Sequence, residues 1–457
     1  MKTTTMPGNK MGVMPTGRLL LNMALPLSIS MLVQALYNVV DSIYISRVSE
    51  SAVTALALAF PVQNLLIGFA TGIGVGMNSL LSKSLGEGNQ EKANRCAGNG
   101  IFLMSITMVL FMLMGAFGAR PYYAMQSSVQ ETVEGGTSYV TICCVFSLGC
   151  FVEILFERML QASGRTVYSM ITQAVGAVIN IVLDPVFIFG KFGIPAMGTA
   201  GAAVATVLGQ WIAAILAVIF NLKCNPDVQF SRKAFRLNGR LIRAILGIGV
   251  PSIVMMAIGS VMTFSMNQIL QGFTETATGV FGIYFKLQSF FFMPVFGLNN
   301  ASISIIAFNY GAEKPERIIS TIKRTCAAAL CIMVAGLLAF QLLPDLMLSF
   351  FNPSDNFLQM GRSALRIISI SFPLAAIGVA LGGCFQALGN GIYSTITSLC
   401  RQLLALVPTA YLLSLTGQVN FVWWSFPIAE VISLCLSLIF FRRIYRQKIR
   451  PLISAEI

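Results

Sequence analysis

Apolar stretches of about 20 to 28 residues recur along the whole chain, each long enough to cross a hydrocarbon core of about 30 Å as a helix. Little polar sequence separates them. Of the 457 residues, 56% are hydrophobic and 10% are charged, with mean hydropathy +0.78, whereas soluble domains carry roughly 25% charged residues. The chain therefore reads as an integral membrane protein with no room for a soluble domain.

The pattern divides into twelve spans, at about 19–45, 53–80, 96–118, 137–157, 167–190, 198–221, 245–271, 279–308, 325–350, 364–387, 394–415 and 421–441. Residues 1–18 are too polar for the core of a cleavable signal and read as an arm leading into the first span. Residues 222–244 form a polar linker and 442–457 a basic tail. The net charge of +13 raises the possibility of nucleic-acid binding, but its distribution argues against it. Alternate connections on one side, together with both termini, hold 23 of the 30 Lys and Arg residues. The other side has only Arg47, Arg120, Lys191 and Arg362, and Lys286, Arg366 and Arg401 fall inside spans. The positive-inside rule places the rich side, with both termini and the linker, in the cytoplasm. A multi-pass protein of the plasma membrane, bacterial and monomeric, is the expectation. The chain has no histidine, which removes imidazole as a proton carrier or metal ligand. Its ten cysteines lie mostly in apolar runs and read as packing residues.

Sliding the sequence against itself by 225 positions gives repeated matches. Pro26 meets Pro251, Gln63 meets Gln288, Gly72 meets Gly297, and Gly86 meets Gly311. The longest match pairs "QASGRTVYSMIT" (161–172) with "QALGNGIYSTIT" (386–397). Six spans return the chain to its starting side, so the halves are two parallel six-helix bundles, 19–221 and 245–441. Such repeats are typical of secondary transporters, with the substrate path between the halves. No GxxxxGK[ST] phosphate loop, nucleophile elbow or metal-ligand cluster appears, which argues against an ATP-driven pump or an enzyme.

Charge inside the spans is the functional signal. In "NIVLDPVFIFG", Asp184 lies roughly 9 Å inside the outer end of span 5, with Asn180 one turn below on the same face. Pro185 has no N–H, so the Ile181 carbonyl loses its helix partner. In span 1, Asp41 shares a polar stripe with Gln34, Tyr37 and Asn38. Thr206 of span 6 lies roughly 12 Å below the outer surface. Three segments thus bring Asp41, Asn180, Asp184 and Thr206 to similar depth. Ionisable groups at such depth are costly, and functional by default; a group poised this way can exchange a proton, bind Na+ or pair with an organic cation.

These residues, with Pro26, "GAAVAT" and the "QASGR"/"QALGN" pair, resemble the MATE family (multidrug and toxic compound extrusion) over essentially the whole chain. The resemblance implies an all-α fold of two pseudo-symmetric six-helix lobes forming an outward-opening V. It also implies an N-lobe cation site at Asp41, Asn180, Asp184 and Thr206, and export of organic cations in exchange for inward H+ or Na+. One departure separates the chain from the NorM-type branch: spans 7 and 10 carry no carboxylate and span 8 carries Lys286. Coupling is then expected in the N-lobe alone, as in the DinF-like and MepA-like branch.

The expected cleft includes Gln34, Tyr37, Asn38, Met266, Lys286, Phe291 and Met293, an adaptable wall for lipophilic cationic drugs and dyes. Pro26 and Pro185 are the expected hinges. Lys286 and Arg401 read first as packing or snorkelling side chains. Glu153, Glu157 and Arg158 read as an ion-pair cluster at the inner end of span 4. Of the alternatives, a flippase of lipid-linked sugars needs a basic cavity, where this chain has acids. The basic span 2–3 loop of a major facilitator is missing from "SKSLGEGNQEKANR".

Overall fold

The computed structural model describes residues 9–231, 234–351 and 354–456. The first eight residues of the expected arm, Arg232 and Lys233 of the linker, and the side chain of Asn38 lie outside the described residues. The regular secondary structure is helical, and no strand occurs among the described residues.

The first lobe comprises α1 (Thr16–Ser46), α2 (Glu50–Gly86), α3 (Gln90–Gln126), α4, a bent pair (Gln130–Val145 and Leu148–Ala162), α5 (Thr166–Phe189) and α6 (Gly198–Cys224). The second comprises α7 (Gly239–Gln271), α8 (Glu275–Gly311), α9 (Pro315–Leu342), α10, again a bent pair (Asp355–Ser369 and Phe372–Ala387), α11 (Gly391–Ser414) and α12 (Val419–Ser454). The bends, 46° in α4 and 48° in α10, fall at equivalent places in the repeat. So do two helix starts. The Ser49 hydroxyl accepts from the Ala52 amide and the Thr274 hydroxyl from the Ala277 amide, so each of α2 and α8 begins on a side-chain cap. The 37 residues of α2, α3 and α8 reach about 55 Å at 1.5 Å per residue and project beyond the hydrocarbon core.

Neither expected hinge breaks its helix: Pro26 lies inside α1 and Pro185 inside α5. Pro26 supplies no N–H to the Asn22 carbonyl, and the Thr166 hydroxyl of α5 reaches that oxygen at 3.5 Å instead.

The lobes meet through α1 against α8 and α2 against α7 and α8. Glycines set these approaches, and they come in repeat pairs. A Cβ on Gly72 would stand 2.4 Å from Ile253 of α7, and one on Gly297 would stand 2.5 Å from the Ser28 amide of α1. A Cβ on Gly86 would stand 1.9 Å from the Phe308 carbonyl, and one on Gly311 2.0 Å from the Lys83 carbonyl. Hydrogen bonds that cross the seam include Ser28 Oγ to the Pro294 carbonyl (2.9 Å), Ser304 Oγ to Asn78 Oδ1 (3.1 Å) and Ser79 Oγ to the Gln386 carbonyl (3.1 Å). All of these belong to the halves of the helices nearest the Lys/Arg-rich end.

At that end a short helical turn, Lys10–Val13, sits across the seam. Arg317 donates to the Met11 and Met14 carbonyls, Lys314 to the Gly12 carbonyl, and Lys10 to Asn22 of α1. The Met11 side chain is fully buried. The linker between lobes is held by α3: Asn94 accepts from the Gln229 amide and Asn99 from the Asn238 amide.

Candidate cation site in the first lobe

Asp184 is fully buried on α5, one turn above Asn180, which is 3% exposed. Asn180 Nδ2 donates to Thr206 Oγ1 of α6 at 3.2 Å and reaches Asp184 Oδ1 at 3.5 Å. Close packing of α5 on α6 makes this possible: Gly209 fits against the Gly176 carbonyl, where a Cβ would stand 2.8 Å away. Asp41 of α1, half-buried, acts electrostatically on Asp184. Among the described residues, three buried oxygens here meet no donor: Asp41 Oδ1, Asn180 Oδ1 and Asp184 Oδ2. A buried acceptor left in this state is unfavourable unless water or a cation meets it. Carboxylate, amide and hydroxyl oxygens are the donor set of a small hard cation, and the carboxylates alone serve a proton.

Below Asp184, which is not on its wall, lies a cavity lined by Gln34 and Tyr37 of α1, Glu153 and Glu157 of α4, Asn180 of α5 and Thr206 of α6. It offers about 90 Å3 to the centres of water molecules, room for several at roughly 10–15 Å3 each, and is too small for a drug-sized molecule.

Several expectations change. Glu153 and Glu157 are not an interfacial ion-pair cluster. They face the cavity, and among the described residues neither is within ion-pairing distance of a Lys or Arg. Arg158 instead donates to Gln161 Oε1 at 3.0 Å. Their i, i+4 spacing on one face of α4 was the legible sign of a shared role. Met266 is fully buried in the core and lines no open cleft, because α7 packs that face inward. Phe291 packs edge-on against Phe340 and is only partly buried, as is Met293. Lys286 is exposed on α8. Arg401 pairs with Glu430 of α12 at 3.3 Å, a second-lobe carboxylate that the span reading passed over.

The site exists on one side of the repeat only. At the 225-residue offset, Asp41 corresponds to Met266, Asn180 to Ala405, Asp184 to Thr409 and Thr206 to Val431. Glu153 and Glu157 correspond to Gly378 and Gly382, where an added Cβ would meet open space.

The MatE family model matches residues 26–186 and again 251–412, two segments whose starts differ by the same 225 positions. The chain belongs to the MatE family. It is thus a transporter-family protein and not an enzyme. The multidrug export protein MepA of Staphylococcus aureus is similar to this MatE-family chain, with 24% identity over 423 residues and 92% of each chain covered. Among solved structures, an outward-facing multidrug resistance MATE family transporter of the MOP superfamily is 24% identical, with TM-score 0.90 over 98% of this chain and 99% of its own. A MOP superfamily transporter from Pyrococcus furiosus has TM-score 0.89 at 23% identity, covering 98% of this chain and 99% of its own. Its description states that reverse polarity of the binding pocket suggests a different function. The MatE-type fold with two six-helix lobes, expected from the sequence, is what the structure shows.

Proposed function

We propose that the chain is a secondary antiporter that exports lipophilic organic cations in exchange for inward H+ or Na+. The observation that carries the reading is the acidic pocket of the first lobe: Asp41 and Asp184 are set in apolar helices, with three buried oxygens that no donor among the described residues meets. A cation, whether coupling ion or cargo, is what such a pocket favours, and an anionic or pyrophosphate-bearing cargo is what it repels. Similarity to the multidrug export protein MepA supports drugs and dyes as the cargo. Exposed Lys286 and partly buried Phe291 and Met293 on α8 offer further contact surface. Occupation of the Asp184 site by the coupling cation would displace the cargo from the same negative charge. The Lys/Arg asymmetry supports a cytoplasmic position for both termini and the linker, and every residue of the proposed site comes from one chain.

Inside-out vesicles from a host lacking its own drug pumps test this. A proton gradient and a sodium gradient are imposed in turn, and uptake of a cationic dye is followed. Uptake driven by one of the two is expected, and loss of that uptake in Asp184→Asn. Uptake driven by neither gradient, or confined to anionic compounds, overturns the reading.

A further inference from the structure

The cavity beneath Asp184 holds a second pair of acids that the proposed exchange at Asp184 does not use. Glu157 is 3% exposed, and Glu153 stands one helical turn away on the same face of α4. A Cβ on Gly176 would lie 3.8 Å from Glu153 Oε1, and Thr172 Oγ1 lies 2.6 Å from Glu157 Oε1. These contacts fix the pair against α5. Gly176 is eight residues and Thr172 twelve below Asp184, so the two carboxyl groups stand about 12 Å and 18 Å along the helix from it.

Two further observations point to what the pair holds. The Thr172 hydroxyl has one hydrogen but two acceptors within reach, Glu157 at 2.6 Å and the Ser169 carbonyl at 2.8 Å. The carbonyl can only accept. When the hydroxyl hydrogen goes there, the short contact to Glu157 is completed by a proton on the carboxyl. Asn180, 3% exposed, lines the same cavity with its Oδ1 unpartnered among the described residues, so a hydrogen-bonding occupant is called for at the upper end too. The charged and titratable groups facing the pair are Tyr37 from α1 and Cys150 and Arg158 from α4. From α2, α5 and α6 come Ile67, Gln173 and Gln210, none of which ionises. Arg158 is held by Gln161, which in turn donates to Ser169 of α5 at 3.0 Å. This places a guanidinium below the pair, where it opposes onward leakage of cations.

We propose that Glu153 and Glu157 form a second, inner proton-binding site of the first lobe, fed by the water-sized cavity that reaches up to Asn180 and Thr206. A proton carried into the cavity as hydronium adds to a carboxylate oxygen of the pair and leaves water behind, so the pair is neutralised by one unit. The inference rests on the antiport reading above, with H+ as the coupling ion, and adds an inner station to it.

The test uses purified full-length protein in detergent, wild type beside Glu153→Gln, Glu157→Gln, the double variant and Asp184→Asn. Infrared difference spectra between acid and alkaline buffer report the carbonyl stretch of protonated carboxyls. Proton release on adding tetraphenylphosphonium is followed with a pH dye. Glu157→Gln is expected to remove a protonated-carboxyl component that Asp184→Asn retains, and the double variant to release about half the wild-type protons per bound cation. If wild type releases protons and the double variant matches it in both release and spectrum, the inner site is wrong while antiport stands. If wild type releases none but Glu157→Gln still removes its carboxyl component, proton antiport is wrong and the inner proton site stands. Should the double variant not insert, Glu157→Gln alone decides by its spectrum.

Discussion

Gly86 and Gly311 each lie against the backbone of the other's helix: Gly86 of α2 on the Phe308 carbonyl of α8, Gly311 of α8 on the Lys83 carbonyl of α2. Lys83 and Phe308, like the glycines, are 225 residues apart, so the contact is its own mirror in the repeat. No side chain larger than hydrogen fits either place, and the obstacle is backbone, which cannot rotate aside.

Replacing Gly86 with alanine is therefore expected to pry the lobes apart at the Lys/Arg-rich end. Overpacking of this kind costs about 1–3 kcal/mol. Ser304 is fully buried at the same seam, so a cysteine placed there in a background without reactive thiols should alkylate faster in Gly86→Ala and in Gly311→Ala. Unchanged alkylation with unchanged thermal stability would show that the seam does not depend on this contact.

Asp184→Asn keeps the volume of the side chain and its place beside Asn180 but removes the charge. Insertion and thermal stability should hold to within about 1 kcal/mol, since the buried Oδ2 has no donor among the described residues to lose. Coupled export should fall at least tenfold, with Asp41→Asn also impaired and Lys286→Gln close to wild type. Normal insertion with wild-type uphill dye export in Asp184→Asn would falsify the antiport reading.

The Arg401–Glu430 pair, 24% and 13% exposed at its side chains, is read as a brace between α11 and α12. Glu430→Gln leaves the guanidinium uncompensated and should destabilise the protein by about 3 kcal/mol, the lower end for breaking a buried pair, whereas joint replacement by leucines should restore most of the loss. Melting of the purified variants decides it. A double replacement as unstable as the single one would mean the charges do more than brace.

Single cysteines at Asn9, Asn238 and Ser354 test orientation. The first two should resist an impermeant thiol reagent in intact cells, and the third should react. Labelling of Asn238 from outside would invert the orientation and with it the proposed direction of transport.

The helical architecture and its duplication were legible because they rest on signals the chain writes locally: apolar length, and a fixed offset. Asp41, Asn180, Asp184 and Thr206 were also legible, since charge inside an apolar run stands out and helix rise gives depth. What the sequence hid depends on which way a helix face turns. Met266 looks like a cleft residue by composition, yet α7 buries it. Glu157 looks like one half of an ion pair with its neighbour Arg158, yet adjacent residues on a helix diverge by about 100°, and Arg158 goes to Gln161 while Glu157 meets Thr172. Glu430 lies in an otherwise apolar span and acquires meaning only when α11 brings Arg401 beside it.

The one-sided placement of the acids, against Met266, Thr409, Gly378 and Gly382 at the equivalent positions of the other half, has a mechanical consequence. Two matched six-helix blocks have, by symmetry, no reason for either to lead. On the proposed antiport, ion binding alters the energy of only one block, and that block is the piston and its twin the cylinder wall. Substitutions that stiffen the second block should then slow turnover without shifting the ion's affinity, while the same changes in the first block should move both.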